Sequence, residues 1–142
     1  MNPYGASKLV MERIGLSVAT RTGMSFLALR IGWCQPGENR PGPHMSMGRW
    51  GQQLWLSNED WAQAVHRSCT SPFTGSAVLN VMSDNAGMRW DLTDTLDVLG
   101  YVPLSRSTPR TTMTTRLSDA GAQVRDRLIP RTAAAPVMGE LW

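Results

Sequence analysis

The order of apolar and polar positions divides the first part of the chain into helices and short strands. Residues 4–22 carry apolar side chains at imperfect helical spacing, and Arg21 and Gly23 supply a cation and a glycine that close the helix. Residues 24–31 form a short apolar run with β-branched and aromatic members, whose length favours a buried strand. A helix that leads into a buried strand is typical of an α/β fold with a parallel sheet.

The pattern changes over residues 32–53, where glycines and prolines alternate and tryptophans are interspersed. A stretch of about twenty residues without regular structure is unusual inside a compact domain and is usually functional or disordered. Ligands of open α/β sheets bind beyond the carboxyl ends of the strands. Because this loop leaves such an end, we predict that it borders a binding site.

A second helix and strand follow the loop. The spacing predicts a helix over residues 57–68, a strand over 77–82, a turn or helix cap at 83–85, and a helix through Leu92, Leu96 and Leu99. Residues 104–116 predict a loose linker, and residues 117–129 have the pattern of one more helix. We therefore divide the chain into a domain of residues 1–104 and an arginine-rich tail of residues 105–142.

Composition supports a folded domain with a basic tail. Hydrophobic residues make up 42% of the 142 residues and six are tryptophan, which is enough for a core. The net charge of +3 arises mainly from arginines in the tail. No stacking aromatic residues are interleaved with those arginines, so a solvated tail is favoured over a nucleic-acid partner.

Cysteine content and hydropathy restrict the setting of the protein. Cys34 and Cys69 form neither a disulfide framework nor a metal-ligand spacing, which predicts a reduced, cytoplasmic protein without a metal site. The sequence begins without a signal-peptide-like stretch and contains no apolar run of membrane-spanning length. We expect no membrane partner.

Tyr4 and Lys8 are the most informative pair of residues. Lys8 is the only lysine beside thirteen arginines, and Tyr4 is one of two tyrosines. On a helix, residues four apart share a face, and an ammonium near a phenol lowers the pKa of that phenol. The pair would then transfer a proton near neutral pH. A surface tyrosine beside a solvated lysine is the alternative, but Pro3 before the pair, the small residues within it and the buried strand after it favour catalysis.

The sequence Pro-Tyr-Gly-Ala-Ser-Lys at residues 3–8 resembles the active-site helix of the extended short-chain dehydrogenase/reductases, the NAD-dependent epimerase/dehydratase family. Residues 29–34 and 55–60 resemble the segments that follow that helix. Residues 81–103 resemble the C-terminal segment of the uronate dehydrogenase-like oxidoreductases. The resemblance covers residues 1 to about 104 and implies the C-terminal portion of a Rossmann-like NAD(P)-binding fold, lacking the N-terminal βαβ half with its Gly-rich phosphate-binding turn.

The resemblance also implies roles for individual residues. Tyr4 would transfer the proton, and Lys8 would bind the nicotinamide ribose of NAD or NADP. The backbone of Ile31, Gly32 and Trp33 would border the nicotinamide.

Two residues of the Gly/Pro-rich loop are candidates for the substrate. Arg40 could grip a carboxylate with two parallel hydrogen bonds, although a solvated loop cation is an equally weighted alternative. His44 is a weaker polar candidate.

The expected function is NAD(P)-dependent oxidation of a sugar or sugar acid. A sugar epimerase or dehydratase is the near alternative, and a non-catalytic remnant that binds a partner N-terminal half is the distant one. Homodimerisation is also open. A truncated reading frame, a split gene and a misplaced start are each compatible with the resemblance, and the chain alone is expected to be inactive and to bind NAD weakly or not at all.

Overall fold

The computed structural model describes residues 3–110, which form four helices and four strands. In chain order they are α1 (Pro3–Thr22), β1 (Phe26–Ile31), α2 (Gly48–Gln53), α3 (Asn58–Thr70), β2 (Ser76–Val81), β3 (Asp84–Asn85), α4 (Thr93–Leu99) and β4 (Arg106–Ser107). The predicted helices around 4–22, 57–68 and 92–99 and both predicted strands are confirmed. The helix predicted over 117–129 lies outside the described residues.

The two longer strands lie side by side and run in the same direction. β1 pairs with β2 in parallel, from Phe26 opposite Ser76 to Ile31 opposite Val81. Parallel neighbours need a crossover connection, which here contains α2 and α3. The α/β class with a parallel sheet is therefore confirmed.

The core lies on one face of this sheet. Alternate strand residues such as Leu79 and Val81 are fully buried there, and Leu27 and Leu29 pack against them. The rest of the buried cluster comes from the segments around α3 and α4: Leu56, Ala64, Leu99 and Tyr101. Because side chains alternate across a strand, Phe26, Ala28 and Arg30 point to the opposite face, where α1 lies.

α1 buries little of its apolar surface within the described residues. Ala19 is its one buried residue, whereas Val10, Met11 and Ile14 are more than half exposed. Within residues 3–110, β1 pairs only with β2, so its other edge is open. No helix in this range is both long and apolar enough to cross a membrane.

A second, very short pair of parallel strands joins the two ends of the segment from residue 84 to residue 107. β3 pairs with β4, with Asp84 opposite Arg106. The predictions of a turn at 83–85 and of a loose linker through 106–107 were therefore wrong at these residues. The pairing depends on a distant side chain, since the buried carboxylate of Asp60 accepts hydrogen bonds from the backbone N–H groups of Leu104 and Ser105.

The domain boundary after residue 104 stays a prediction. Ordered contacts continue to Arg110, whose backbone N–H donates to Gln52 Oε1 at 2.8 Å and whose carbonyl accepts from Gln52 Nε2 at 2.9 Å. Gln52 lies in α2, a short helix within the stretch that was predicted to lack regular structure.

Tyr101 makes the stability of this domain sensitive to alkaline pH. Its phenol is 1% exposed and donates to the carbonyl of Met82 at 2.8 Å. Burial, reinforced by the nearby Asp60 carboxylate, raises the pKa of Tyr101 above its usual value. The protonated form is thus favoured on folding, so its stabilisation is complete below the unfolded pKa of about 10 and is lost as the pH rises through the folded pKa.

We therefore expect the free energy of unfolding to fall above about pH 10 and Tyr101→Phe to flatten that fall, at a cost of about 1 kcal/mol at neutral pH. Urea unfolding at a series of pH values measures both effects. Tyr4→Phe, which removes an exposed phenol, serves as the control. An unchanged alkaline slope in Tyr101→Phe would rule out this origin.

Candidate active site

Tyr4 and Lys8 lie one turn apart at the start of α1. Pro3 begins the helix, a position where its missing N–H costs nothing, and Ser7 Oγ donates to the Tyr4 carbonyl at 2.8 Å. The Lys8 ammonium lies 5.2 Å from the centroid of the Tyr4 ring, within range of a cation–π interaction. The Tyr4 residue is 69% exposed. The helix therefore brings the phenol and the amine together and presents the phenol to solvent.

These two side chains face a groove between α1 and β1. Its volume is about 520 Å³, and its walls are Tyr4, Lys8, Met11 and Glu12 from the helix and residues 26–31 from the strand. The groove thus unites Tyr4 and Lys8 with Ile31. It is mostly apolar, with the phenol and ammonium at the helix N-terminus.

Gly32 and Trp33 continue β1 beyond Ile31 and attach it to the next segment. The Gly32 N–H donates to the Val81 carbonyl at 2.8 Å, and the Trp33 N–H donates to the Leu54 carbonyl at 2.7 Å. A Cβ atom at position 32 would lie 2.3 Å from the Leu54 carbonyl oxygen. Glycine is therefore required for the close backbone approach that fixes the end of β1.

Arg40 and His44 are not among the residues that line the groove. Arg40 Nε lies 2.8 Å from Glu38 Oε2, and the two side chains are 80% and 77% exposed. His44 is exposed as well. An ion pair so open to water contributes little stability and is easily broken. The exposed Arg40 guanidinium can therefore bind other anions. The substrate roles of both residues stay predictions.

Asn39 organises the loop that carries Arg40 and was not singled out from the sequence. It is 5% exposed and has a φ of 49°. Its Oδ1 accepts from the Gln35 N–H at 2.6 Å and from Trp55 Nε1 at 3.0 Å, while its Nδ2 donates to the Leu56 carbonyl at 2.8 Å. An asparagine in a Gly/Pro-rich loop is one signal for such a left-handed position, because asparagine tolerates it.

Asp60 organises a second buried polar cluster. It is fully buried, and its carboxylate accepts a short hydrogen bond from Ser83 Oγ. Ser83 Oγ in turn accepts from the Ser57 N–H at 2.9 Å, and Ser57 Oγ caps α3 by accepting from the Asp60 N–H at 3.0 Å. Ser57 is thus the N-cap of the helix start indicated by the sequence. The carboxylate of Asp60, in the first turn, also binds the backbone of the C-terminal segment at Leu104 and Ser105.

The two cysteines are free and exposed. Although the Cys34 residue is exposed, neighbouring atoms partly desolvate its thiol and raise the pKa of that thiol above its usual value. Within the part of the chain that the structure describes, no cluster of three His, Cys, Asp or Glu residues could hold a metal ion.

Comparison with known proteins gives one curated relative and two solved structures. No protein-family model matches the chain. The chain is 32% identical over 108 residues to an L-arabinose 1-dehydrogenase (NAD(P)(+)) of Haloferax volcanii, an alignment that covers 73% of the chain and 42% of that enzyme. The chain therefore spans about two fifths of the length of this relative.

The fold matches those of two dehydrogenases. Uronate dehydrogenase of Agrobacterium tumefaciens superposes with a TM-score of 0.59 at 22% identity, over 89% of this chain and 40% of that one. Glucuronic acid dehydrogenase of Chromohalobacter salexigens superposes with a TM-score of 0.57 at 24% identity, over 83% and 39%. The chain is therefore similar in sequence to part of an NAD(P)-linked sugar dehydrogenase and in fold to parts of two sugar-acid dehydrogenases, as the resemblance of its motifs predicted.

Proposed function

We infer that the chain is the catalytic-helix portion of an NAD(P)-dependent dehydrogenase that oxidises a sugar or sugar acid. The observation that carries this function is the placement of the Lys8 ammonium over the Tyr4 ring, at the mouth of a groove that ends at β1. The sequence relative oxidises a sugar, as its name states, and the two structural relatives are named for sugar acids.

Tyr4 acts on the substrate hydroxyl. Oxidation of an alcohol carbon removes a proton from oxygen and a hydride from carbon, and a bound nicotinamide would supply the acceptor for the hydride. Because Tyr4 is exposed at the groove mouth, a sugar hydroxyl can approach its oxygen, and the phenolate form of Tyr4 would take the hydroxyl proton and become the neutral phenol. A general acid–base role for Tyr4 fits dehydrogenation and equally the related epimerase or dehydratase reactions.

Lys8 would bind the cofactor in this groove. Its ammonium offers up to three hydrogen-bond donors, which suits the two hydroxyls of a nicotinamide ribose. Ile31 is half exposed beside it, and the backbone of Gly32 and Trp33 follows directly. These residues fit the nicotinamide end of NAD or NADP.

Arg40 is the candidate that favours a sugar acid over a neutral sugar. Its guanidinium is accessible and can exchange the Glu38 carboxylate for a substrate carboxylate, with His44 nearby in the chain as a further polar group. A neutral pentose would leave Arg40 paired with Glu38.

A partner-binding function has its own supporting observation. The exposed apolar residues of α1 and the open edge of β1 are surfaces that another chain segment would cover. In this alternative the groove binds protein and not a cofactor.

Cofactor titration separates these functions. We expect the 142-residue chain alone to show less than about 0.5 kcal/mol of stabilisation by micromolar NAD+ or NADP+, because stabilisation stays that small while the ligand concentration is below its Kd. The assembled dehydrogenase is defined as this chain joined to the part of the Haloferax relative that the alignment does not cover. It is expected to bind one of the two cofactors saturably and to oxidise a sugar or sugar acid.

Thermal unfolding of both forms with each cofactor provides the measurement. Saturable stabilisation of the chain alone at micromolar cofactor would contradict the expectation that it needs the rest of the fold. An assembled form that folds but never reduces NAD+ or NADP+ with sugars or uronates would overturn the dehydrogenase function.

A further inference from the structure

A two-bond ion pair joins the middle of α1 to the end of β1. Arg30 Nε donates to Glu12 Oε1 at 2.9 Å, and the Arg30 Nη2 donates to Glu12 Oε2 at 2.8 Å. Two parallel bonds of this kind fix orientation as well as distance. The hydrogen bonds from Arg30 lower the pKa of the Glu12 carboxyl, so the pair stays charged at neutral pH.

Glu12 continues the stripe of the helix that carries Tyr4 and Lys8. The three residues are spaced by four, share one face of α1 and line the same groove. From Glu12 onward one face of the helix, which carries Glu12, Gly15 and Ala19, is partly or fully buried, while the other residues stay exposed. A Cβ atom on Gly15 would lie 2.0 Å from the Phe26 ring, and Ala19 is buried.

The turns before Glu12 are packed much less. Residues 3–11 are exposed apart from the half-buried Ala6. Short helical segments without packing are marginal in water. The ion pair therefore lies at the boundary between the packed part of α1 and the exposed turns that carry Tyr4 and Lys8.

On the strand, Arg30 lies next to the residues of the candidate cofactor site. Arg30 directly precedes Ile31 and Gly32, whose backbone is fixed by the hydrogen bond from the Gly32 N–H to Val81. A contact at Arg30 thus fixes the position of α1 relative to the end of β1, where the nicotinamide would lie.

We propose that Glu12 and Arg30 are positioning residues whose ion pair holds the N-terminal turns of α1, with Tyr4 and Lys8, in register with the end of β1. The proposal rests on the proposed function of the Tyr4–Lys8 pair. A displacement of an acid–base group by about 1 Å can lower a rate by about a hundredfold, so the register matters for turnover.

Hydrogen exchange of the 142-residue chain tests the structural part of the proposal without any activity. Glu12→Gln removes the charge and keeps the shape, and Arg30→Lys keeps the charge but loses the two-bond geometry. In both, we expect amides of residues 7–12 to exchange about fivefold faster or more, while those of β2 and α3 keep wild-type rates. The double variant Glu12→Arg with Arg30→Glu is expected to restore slow exchange.

Arg106→Gln is the matched control, because it breaks the exposed Arg106–Asp84 ion pair (3.0 Å), which joins β3 to β4 and does not involve α1. It is expected to leave exchange in α1 unchanged. Since Lys8 is the only lysine, ¹³C-methylation of its amine gives a single side-chain signal, whose shift reports whether it still lies over the Tyr4 ring. That shift is expected to move toward the free-lysine value in Glu12→Gln.

Turnover of the assembled dehydrogenase tests the catalytic part. Glu12→Gln and Arg30→Lys are expected to lower kcat about tenfold or more with little change in KM for the sugar, and Arg106→Gln to leave both unchanged. Wild-type exchange in Glu12→Gln, exchange that accelerates uniformly, or faster local exchange with wild-type kcat would each overturn the proposal. If even the wild-type assembled form shows no Tyr4-dependent turnover, the proposed function fails, whereas exchange still decides whether the ion pair holds these turns.

Discussion

Tyr4→Phe is expected to lower the turnover of the assembled dehydrogenase by about 10²–10⁴-fold. Phenylalanine keeps the ring over which the Lys8 ammonium lies, so the helix and the groove are preserved. It removes the phenolic oxygen to which the proposed function assigns the substrate proton. Initial rates of NAD(P)H formation, with the sugar at saturation, measure the loss in kcat directly.

The chain offers a matched control for this substitution. Tyr101→Phe removes the same hydroxyl from the second tyrosine, which is buried in the core and bonded to the Met82 carbonyl. It is expected to lower stability and to keep kcat near the wild-type value below its unfolding temperature. Full turnover in Tyr4→Phe would exclude Tyr4 as the acid–base group and would favour the partner-binding function.

The second large effect is expected from Gly32→Ala. The added Cβ would lie 2.3 Å from the Leu54 carbonyl oxygen, and backbone cannot move aside as a flexible side-chain tip can. The Trp33–Leu54 and Gly32–Val81 hydrogen bonds would be strained at the same time. We expect a loss of about 2–4 kcal/mol in the free energy of unfolding, measured by urea titration.

Gly5→Ala provides the comparison for Gly32→Ala. A Cβ at position 5 meets nothing within 4 Å, and position 5 lies in a helix. The substitution is therefore expected to be neutral or to stabilise by about 0.5–1 kcal/mol, because alanine loses less backbone entropy than glycine. Equal destabilisation by the two alanines would show that the contact at Gly32 is not what requires glycine.

The longer elements could be predicted because their signals are local. α3 follows from a capping serine and acidic first-turn residues, and α4 ends at Gly100, which adopts a φ of 63°. The spacing of Tyr4 and Lys8 is equally local, since a helix brings residues four apart together whatever surrounds it.

The loop and the C-terminal segment could not be predicted in the same way. α2 forms inside a Gly/Pro-rich stretch, where its Gln52 side chain bonds the backbone of Arg110, far away in sequence. β3 and β4 are two residues each and exist because Asp60 binds the backbone before β4. No pattern within either short segment carries that information.

The substrate side of the candidate site shows the same limit. Arg40 and His44 lie in one loop and were both predicted to bind the substrate. In the described structure neither of them lines the groove with Tyr4 and Lys8. Asn39, which fixes their loop, acts through hydrogen bonds to Trp55 and Leu56 that only the folded chain brings near.

By itself, the sequence determined the α/β class, the main helices and strands, the Tyr4–Lys8 pair and the similarity to sugar dehydrogenases. All of these depend on periodicity, on caps or on motifs within a few residues. Only the tertiary structure decided the groove between α1 and β1, the close backbone approach at Gly32 and the Glu12–Arg30 ion pair. Each of these joins residues from different elements, and their distances are set by how the helix packs on the sheet.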